Sequence, residues 1–155
     1  QLDRFLFKIK MEFIDRDSEI EVLNSEAERA EPLGDKVPRI NRGAIVEIRR
    51  MLAKEIYVNP KINECLVDIA RALRDHPDVA LGVSTRCLVL MKPALRAAAL
   101  LKGRGYVTEE DISWLAPHVF SHRLSLEMGQ REPEPIIADC LKKPLEQLSR
   151  STLKR

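Results

Sequence analysis

Hydrophobic and polar residues follow a helical period over most of this chain. From Asp15 onward, apolar residues recur every three or four positions, with charged residues between them. Each periodic run opens on a side chain that favours a helix N-terminus, namely Asp15, Asn41, Asn59, Ser84 or Thr108. Short, breaker-rich links separate the runs. The pattern therefore predicts five or six amphipathic helices packed in an all-α bundle.

Proline and glycine mark further features of these helices. Pro93 falls inside the helix after Ser84 and should kink it, and Gly103 should end it. After the proline-rich stretch that follows Gly129, one last helix is predicted near residues 136–148. The apolar residues expected to face the core are Ile20, Leu23, Ala27, Ile45, Ile48, Leu52, Ile62, Leu66, Ile69, Ala70, Leu73, Cys87, Met91, Ala94, Ala98, Leu101, Ile112, Leu115, Ala116 and Val119.

The first residues have a different period. Phe5, Phe7, Ile9, Met11 and Phe13 alternate with residues that are mostly polar, which is typical of a β-strand. A lone strand needs partners, and the rest of the chain predicts none. We therefore expect its sheet to lie in preceding sequence. Without that sheet, the segment should dock on the bundle, pair with a second copy or be disordered.

Composition narrows the class of protein. A chain of 155 residues with 32% charged and 45% hydrophobic residues fits one domain, or one domain with extensions, and we expect a cytoplasmic protein. A net charge of +2 gives no support for binding nucleic acid or a membrane surface. No apolar run is long enough to span a membrane, and no signal peptide is visible. Cys65, Cys87 and Cys140 fall on apolar stripes, so buried free thiols in a reducing compartment are expected.

Two histidine-containing patterns have the spacing or order of known functional sites. His118 and His122 have the spacing of metal ligands on one helix face, but the glutamate of a zinc-protease motif is absent. A packing or solvent-facing pair is favoured, and no metal site is predicted. The sequence His76-Pro77-Asp78 matches the loop of J-domain co-chaperones, but a helix terminator is the favoured interpretation. No catalytic triad or phosphate-binding glycine loop is present, so the chain alone should not be catalytic.

The start of the helix after Ser84 poses a specific question. With Ser84 as the cap, Arg86 lies in the first turn, where the partial positive charge of the helix disfavours a cation. Arg86 either points into water with nothing bound, or an anion is bound there by the helix end and the guanidinium together.

Four stretches in a fixed order carry a family resemblance. They are QLDRFLFKI, RDHPDVALGVSTR, AAALLKGRGYVTEEDI and LAPHVFSHRL. This succession resembles the C-terminal part of MoxR-family AAA+ ATPases and covers about residues 1–124. The resemblance implies a remnant of the α/β ATPase core at 1–14, with its short β-strand, a helical lid at 15–128, and a C-terminal extension, expected to be helical, at 129–155.

The resemblance also implies roles for individual residues. Gly82, Ser84, Thr85 and Arg86 match the family's nucleotide-binding GAS-x-R element, whose arginine is the sensor-2 residue that reaches the terminal phosphates. Arginine suits this task because it stays charged and offers a planar fork of donors. Arg4, within LDRF, matches the arginine finger that acts on ATP bound to the adjacent subunit. The alternative for Arg4 is an exposed structural arginine paired with a neighbouring residue.

The intact protein would use ATP and Mg²⁺, whose P-loop and metal ligands should lie upstream, since the chain begins with Gln1 rather than methionine. The family implies a ring, expected to be hexameric, that remodels or matures a client or a VWA-type partner protein. The chain departs from the family pattern at Val83, Thr85 and Pro93. The resemblance therefore does not determine the geometry of the lid around these residues. The alternative function is a standalone helical protein-interaction module with no nucleotide role.

Overall fold

The computed structural model describes residues 4–29, 38–129 and 132–152. The elements in chain order are α1 (Arg16–Asn24), α2 (Glu26–Arg29), α3 (Arg42–Glu55), α4 (Pro60–Arg74), β1 (Val79–Leu81), α5 (Thr85–Leu101), α6 (Glu109–Phe120), a 3₁₀ turn (Ser121–Arg123), β2 (Ser125–Leu126) and α7 (Pro133–Thr152). The helical class predicted from the sequence is confirmed.

The helices begin where the capping residues predict. The side chains of Asp15, Asn41, Asn59 and Ser84 each accept a hydrogen bond from a backbone amide two or three residues further on. Thr108 occupies the corresponding position before α6. These bonds satisfy amides that have no partner inside the helix, which explains why local sequence locates each start so well.

Four helices, α4 to α7, build the hydrophobic core. Their apolar stripes meet in one cluster, and α5 runs unbroken through Pro93. The cluster also contains the three cysteines, which are buried free thiols as predicted. The large side chains that are almost completely buried are Ile69, Leu73, Val83, Met91, Leu95, Ile112, Val119, Phe120 and Ile137.

The last helix is longer than predicted and belongs to this core. α7 spans Pro133–Thr152, packs against α4 and α6, and contains Pro144. Its inner face buries Ile136, Ile137 and Leu148. The sequence left open whether this segment folds against the rest of the bundle. In the structure it does, because its apolar stripe completes the cluster.

A small antiparallel sheet pairs the segment that follows α4 with the segment that follows the 3₁₀ turn after α6. β1 pairs with β2, with Val79 opposite Leu126 and Leu81 opposite Ser125. Neither strand was predicted, because two or three residues are too few to show an alternating period. β1 leads directly into the loop that precedes α5, so this sheet helps to place the start of that helix.

The strand expected over residues 5–13 is not among the strands of the described chain. This segment has no regular secondary structure, and Phe13 is 99% exposed. A strand needs a continuous partner for its backbone amides and carbonyls, and only residues 5–8 find such partners in the described structure. These residues dock on the end of α6, which was one of the three expected outcomes.

The inward faces predicted for the first helices are also corrected. Ser25 interrupts the helix expected from 16 to 29, and α1 buries none of its residues. Leu23 is 75% exposed, and Ile45 and Ile48 of α3 are about half exposed. Of the predicted α3 face, only Leu52 packs on the core. Periodicity identified these faces as apolar, but the described elements leave most of the α1 face and about half of the α3 face exposed.

Candidate functional site

The candidate site is the short loop that connects β1 to α5. Gly82 follows the strand, Val83 is buried, and Ser84 caps the helix by accepting a hydrogen bond from the amide of Cys87 at 3.3 Å. Thr85 and Arg86 then form the exposed first turn of α5. The structure therefore places four of the five predicted site residues, Gly82, Ser84, Thr85 and Arg86, in one continuous turn.

Arg74, at the end of α4, holds this loop in place. Its Nε donates a hydrogen bond of 2.8 Å to the carbonyl of Val83. The backbone of Gly82 lies so close that a Cβ there would stand 2.6 Å from Arg74 Cγ. Gly82 is therefore needed for close packing. Sequence reasoning missed Arg74, because no local pattern links a residue to a carbonyl nine positions later.

Arg86 has no counter-ion within the described part of the chain. Its side chain is exposed, and the first turn of α5 contains no acidic residue. No ion pair to another described residue satisfies the guanidinium. The free amides of a helix N-terminus and an unpaired guanidinium together favour a bound anion, and phosphate is the ligand that both groups recognise.

Arg4 is not part of the loop that connects β1 to α5. It is exposed and immediately precedes residues 5–8, which contact the C-terminal end of α6. The roles of all five residues stay predictions.

The two histidine patterns take part in packing and turns. His122 Nε2 lies 2.9 Å from the carbonyl oxygen of Phe5, and the ring of His118 packs edge-on against Trp114. Among the described residues, no group of three metal-binding side chains converges. Nδ1 of His76 accepts a hydrogen bond from the amide of Asp78. This bond lies in the turn after α4, where a helix terminator was expected.

A buried carboxylate anchors the loop between α5 and α6. Asp111 accepts hydrogen bonds from Lys102 at 3.1 Å, from Arg104 at 2.6 and 3.0 Å, and from the Thr108 amide at 3.0 Å. Burial alone would raise the pKa of Asp111, but the bonds from Arg104, Thr108 and Lys102 outweigh it and hold that pKa below its usual value. The sequence predicted the acidic first turn of α6, but not these partners.

Comparison with known proteins identifies the class of this bundle. Residues 71–140, which include Gly82 to Arg86 and the whole of α6, match the AAA lid domain family. The part of the bundle within this range, from the end of α4 into α7, therefore matches an AAA lid. A solved structure titled as a candidate ATPase from Cytophaga hutchinsonii superimposes with a TM-score of 0.78. At 24% identity, with 92% of this chain and 46% of that one covered, it supports the fold alone.

Two curated proteins of greater length are similar to this chain in sequence. The chain is 36% identical to the uncharacterized protein YeaC of Bacillus subtilis over 126 residues, which cover 81% of this chain and 39% of YeaC. It is 27% identical to the chaperone MoxR1 of Mycobacterium tuberculosis, covering 81% of this chain and 35% of MoxR1. The chain thus spans less than half the length of these relatives. The AAA lid match and the similarity to MoxR1 support the resemblance that the sequence predicted, to the C-terminal lid of a MoxR-like AAA+ ATPase.

No described helix combines the length and the apolar composition that crossing a bilayer requires.

Proposed function

We propose that this chain is the nucleotide-sensing lid of an ATP-hydrolysing protein, with Arg86 as its sensor-2 residue. The observation that carries the proposal is the exposed Arg86 guanidinium at the positive end of α5, where no described acidic side chain pairs with it. In the intact protein, the nucleotide-binding core supplies ATP and Mg²⁺. Arg86 then contacts the terminal phosphates from the lid side.

The surroundings of Arg86 suit this role physically. The α5 amides and the guanidinium both favour negative charge, and the Ser84 cap and the Arg74–Val83 bond fix the loop before the anion arrives. Preorganised donors of this kind stabilise charge that develops during phosphoryl transfer, and each contributes about 3–4 kcal/mol.

Arg4 is proposed as the arginine finger that acts in trans in a ring of subunits, which we expect to be hexameric. It is exposed and lies at the edge of the bundle, next to the segment that docks on α6. From this position its side chain can leave the bundle toward a neighbouring subunit. ATP hydrolysis would then be completed only between adjacent subunits.

Lid movement is proposed to couple hydrolysis to remodelling or maturation of a client protein or a VWA-type partner in the cytoplasm. The support is the similarity to a relative that is named a chaperone. A lid that contacts phosphate through Arg86 shifts position when the phosphate leaves, and the rigid core of α4 to α7 carries that shift as one body.

The test uses the full-length protein that joins this chain to its nucleotide-binding core. Arg86→Ala should lower the turnover number for ATP about 10²-fold or more, because one charge-assisted contact to the transition state is lost. Arg71→Ala, which removes another exposed arginine at the end of α4, is the control and should leave turnover unchanged. Turnover that is equal in both variants and the wild type would refute the sensor role.

A further inference from the structure

Arg123 is a buried arginine that donates hydrogen bonds to backbone carbonyls, two of which lie far away in the sequence. It closes the 3₁₀ turn after α6 and is 8% exposed. Its guanidinium donates to the carbonyl of Leu6 at 3.1 Å and also to the carbonyls of Phe5 and Val119. Burying a charge in this way is unfavourable unless its hydrogen bonds are made, so the contact with residues 5 and 6 is a specific feature of the fold.

Two further contacts fix the same segment. His122 Nε2 lies 2.9 Å from the Phe5 carbonyl oxygen, and the amide of Lys8 donates to the His118 carbonyl at 2.9 Å. The side chain of Leu6 packs against the hydrophobic core. We name the backbone of His118 together with the side chains of His122 and Arg123 the α6 clamp. The clamp holds residues 5–8 at one end of α6.

The α6 clamp also determines where Arg4 lies. The carbonyl of Phe5, which His122 and Arg123 both contact, belongs to the residue immediately after Arg4. Because the Phe5 carbonyl is held in place, the backbone at Arg4, the preceding residue, leaves the bundle at a fixed point. The other side of the clamp belongs to α6, whose Ile112, Leu115 and Phe120 are buried in the lid core.

We propose that His122 and Arg123 are positioning residues for Arg4, and that the α6 clamp transmits lid movement to it. The inference rests on the proposed finger role of Arg4. Because the clamp contacts backbone carbonyls, it orients the Arg4 segment whatever side chains that segment carries. The clamp thereby links the lid, which responds to nucleotide through Arg86, to the residue that acts on the neighbouring subunit.

The first test uses the 155-residue chain and trypsin cleavage of the bond between Arg4 and Phe5, followed by mass spectrometry. Arg123→Met removes the donors, and Lys8→Pro removes the amide that bonds His118 while leaving Arg123 in place. Each should speed this cleavage about tenfold or more, because a segment released from the bundle enters a protease more readily.

The matched control is Lys10→Pro, in the same irregular segment, whose amide donates to no described residue. It should be cleaved at the wild-type rate. If Arg123→Met fails to fold, Lys8→Pro still tests the clamp. The Lys8 side chain is exposed, so its replacement should not disturb the core. Wild-type cleavage rates in Lys8→Pro and in folded Arg123→Met overturn the clamp.

The second test measures ATP hydrolysis by the full-length protein. Arg123→Met should lower turnover with little change in the KM for ATP, and should cause no further loss when it is combined with Arg4→Ala. A purely structural role would reduce turnover by the same factor in both backgrounds, and that result overturns the positioning role. Wild-type turnover in Arg4→Ala overturns the finger assignment and the positioning role together. Turnover that is lost in Arg4→Ala but kept in Arg123→Met overturns the clamp alone.

Discussion

Gly82 lies directly against Arg74, with so little space that a Cβ on Gly82 would stand 2.9 Å from the Cα of Arg74 and 3.1 Å from its nitrogen. Real Cβ atoms essentially never come within 3.0 Å of another heavy atom, so the contact with the Arg74 Cα could not form without a shift. The end of α4 and the loop before α5 are therefore packed as one unit. Any proposed movement of Arg86 involves this unit and not the loop alone.

Gly82→Ala should destabilise the fold by about 1–3 kcal/mol, because the added methyl group meets backbone atoms that cannot move aside alone. Urea unfolding of the 155-residue chain measures the effect. Gly105→Ala is the matched control, since a Cβ there meets nothing within 4 Å, and its effect should stay within about 0.5 kcal/mol. Equal stability of the two variants would contradict the tight packing at Gly82.

Arg86→Glu should stabilise the isolated chain by about 0.3–1 kcal/mol, since it replaces a cation at the positive end of α5 with an anion. Thermal unfolding at low salt measures this gain. Arg71→Glu makes the same charge change in the last turn of α4, where a cation is favoured, and should destabilise by a similar amount. A loss of stability in Arg86→Glu would mean that Arg86 supports the fold, and it would weaken the case for a binding role.

Asp111→Asn should destabilise the chain at neutral pH by about 1–3 kcal/mol, because Lys102 and Arg104 lose a buried acceptor but remain partly exposed to water. The folded pKa of Asp111 lies below its ordinary value of 3.8. Its contribution to stability is therefore present above about pH 4 and is lost as pH falls through the folded pKa.

The measurement for Asp111 is the midpoint of thermal unfolding between pH 7 and pH 2. The wild type should lose stability on acidification faster than Asp111→Asn, so that the two curves converge at low pH. Asp139→Asn is the control, because Asp139 forms an exposed pair with Lys142 and should change stability little. Parallel curves for wild type and Asp111→Asn would show that titration of this carboxylate does not cause the loss of stability at low pH.

Local chemistry explains which parts of the fold were predictable. A cap such as Asn59 acts within three residues of its own position, so α4 could be located from sequence alone. The Thr108 start was predictable for the same reason. The fixed order of four sequence stretches, one of which contains Gly82 to Arg86, likewise led to the AAA lid family.

Contacts between distant residues could not be predicted in this way. The hydrogen bonds from Arg74 to Val83 and from Arg123 to Leu6 depend on how the helices pack. No spacing in the sequence predicts them. Periodicity also cannot say what covers an apolar face. The predicted inward residues Ile45 and Ile48 were correctly recognised as one face of α3, yet they remain about half exposed.

The thiol of Cys65 provides a last prediction, which tests the buried core. Burial, with smaller contributions from Asp68 and Glu109, raises the pKa of Cys65 to about 12. At pH 8 this lowers the thiolate fraction roughly 10³-fold relative to an ordinary thiol, and the thiolate is the form that reacts. Alkylation of Cys65 in the folded chain should be slower by at least this factor than in urea.

Burial also raises the pKa of Cys140, so Cys140 should be slow as well and should react together with Cys65 when the chain unfolds. Mass spectrometry after timed iodoacetamide labelling, with peptide mapping to assign each thiol, measures both rates. If either cysteine reacted in the folded chain as fast as in urea, the helix pair α4 and α7 would be opening far more often than a shared core allows. The same labelling in the Gly82→Ala variant should stay slow at Cys65, because that substitution strains the far end of α4 and leaves its packing against α7 intact.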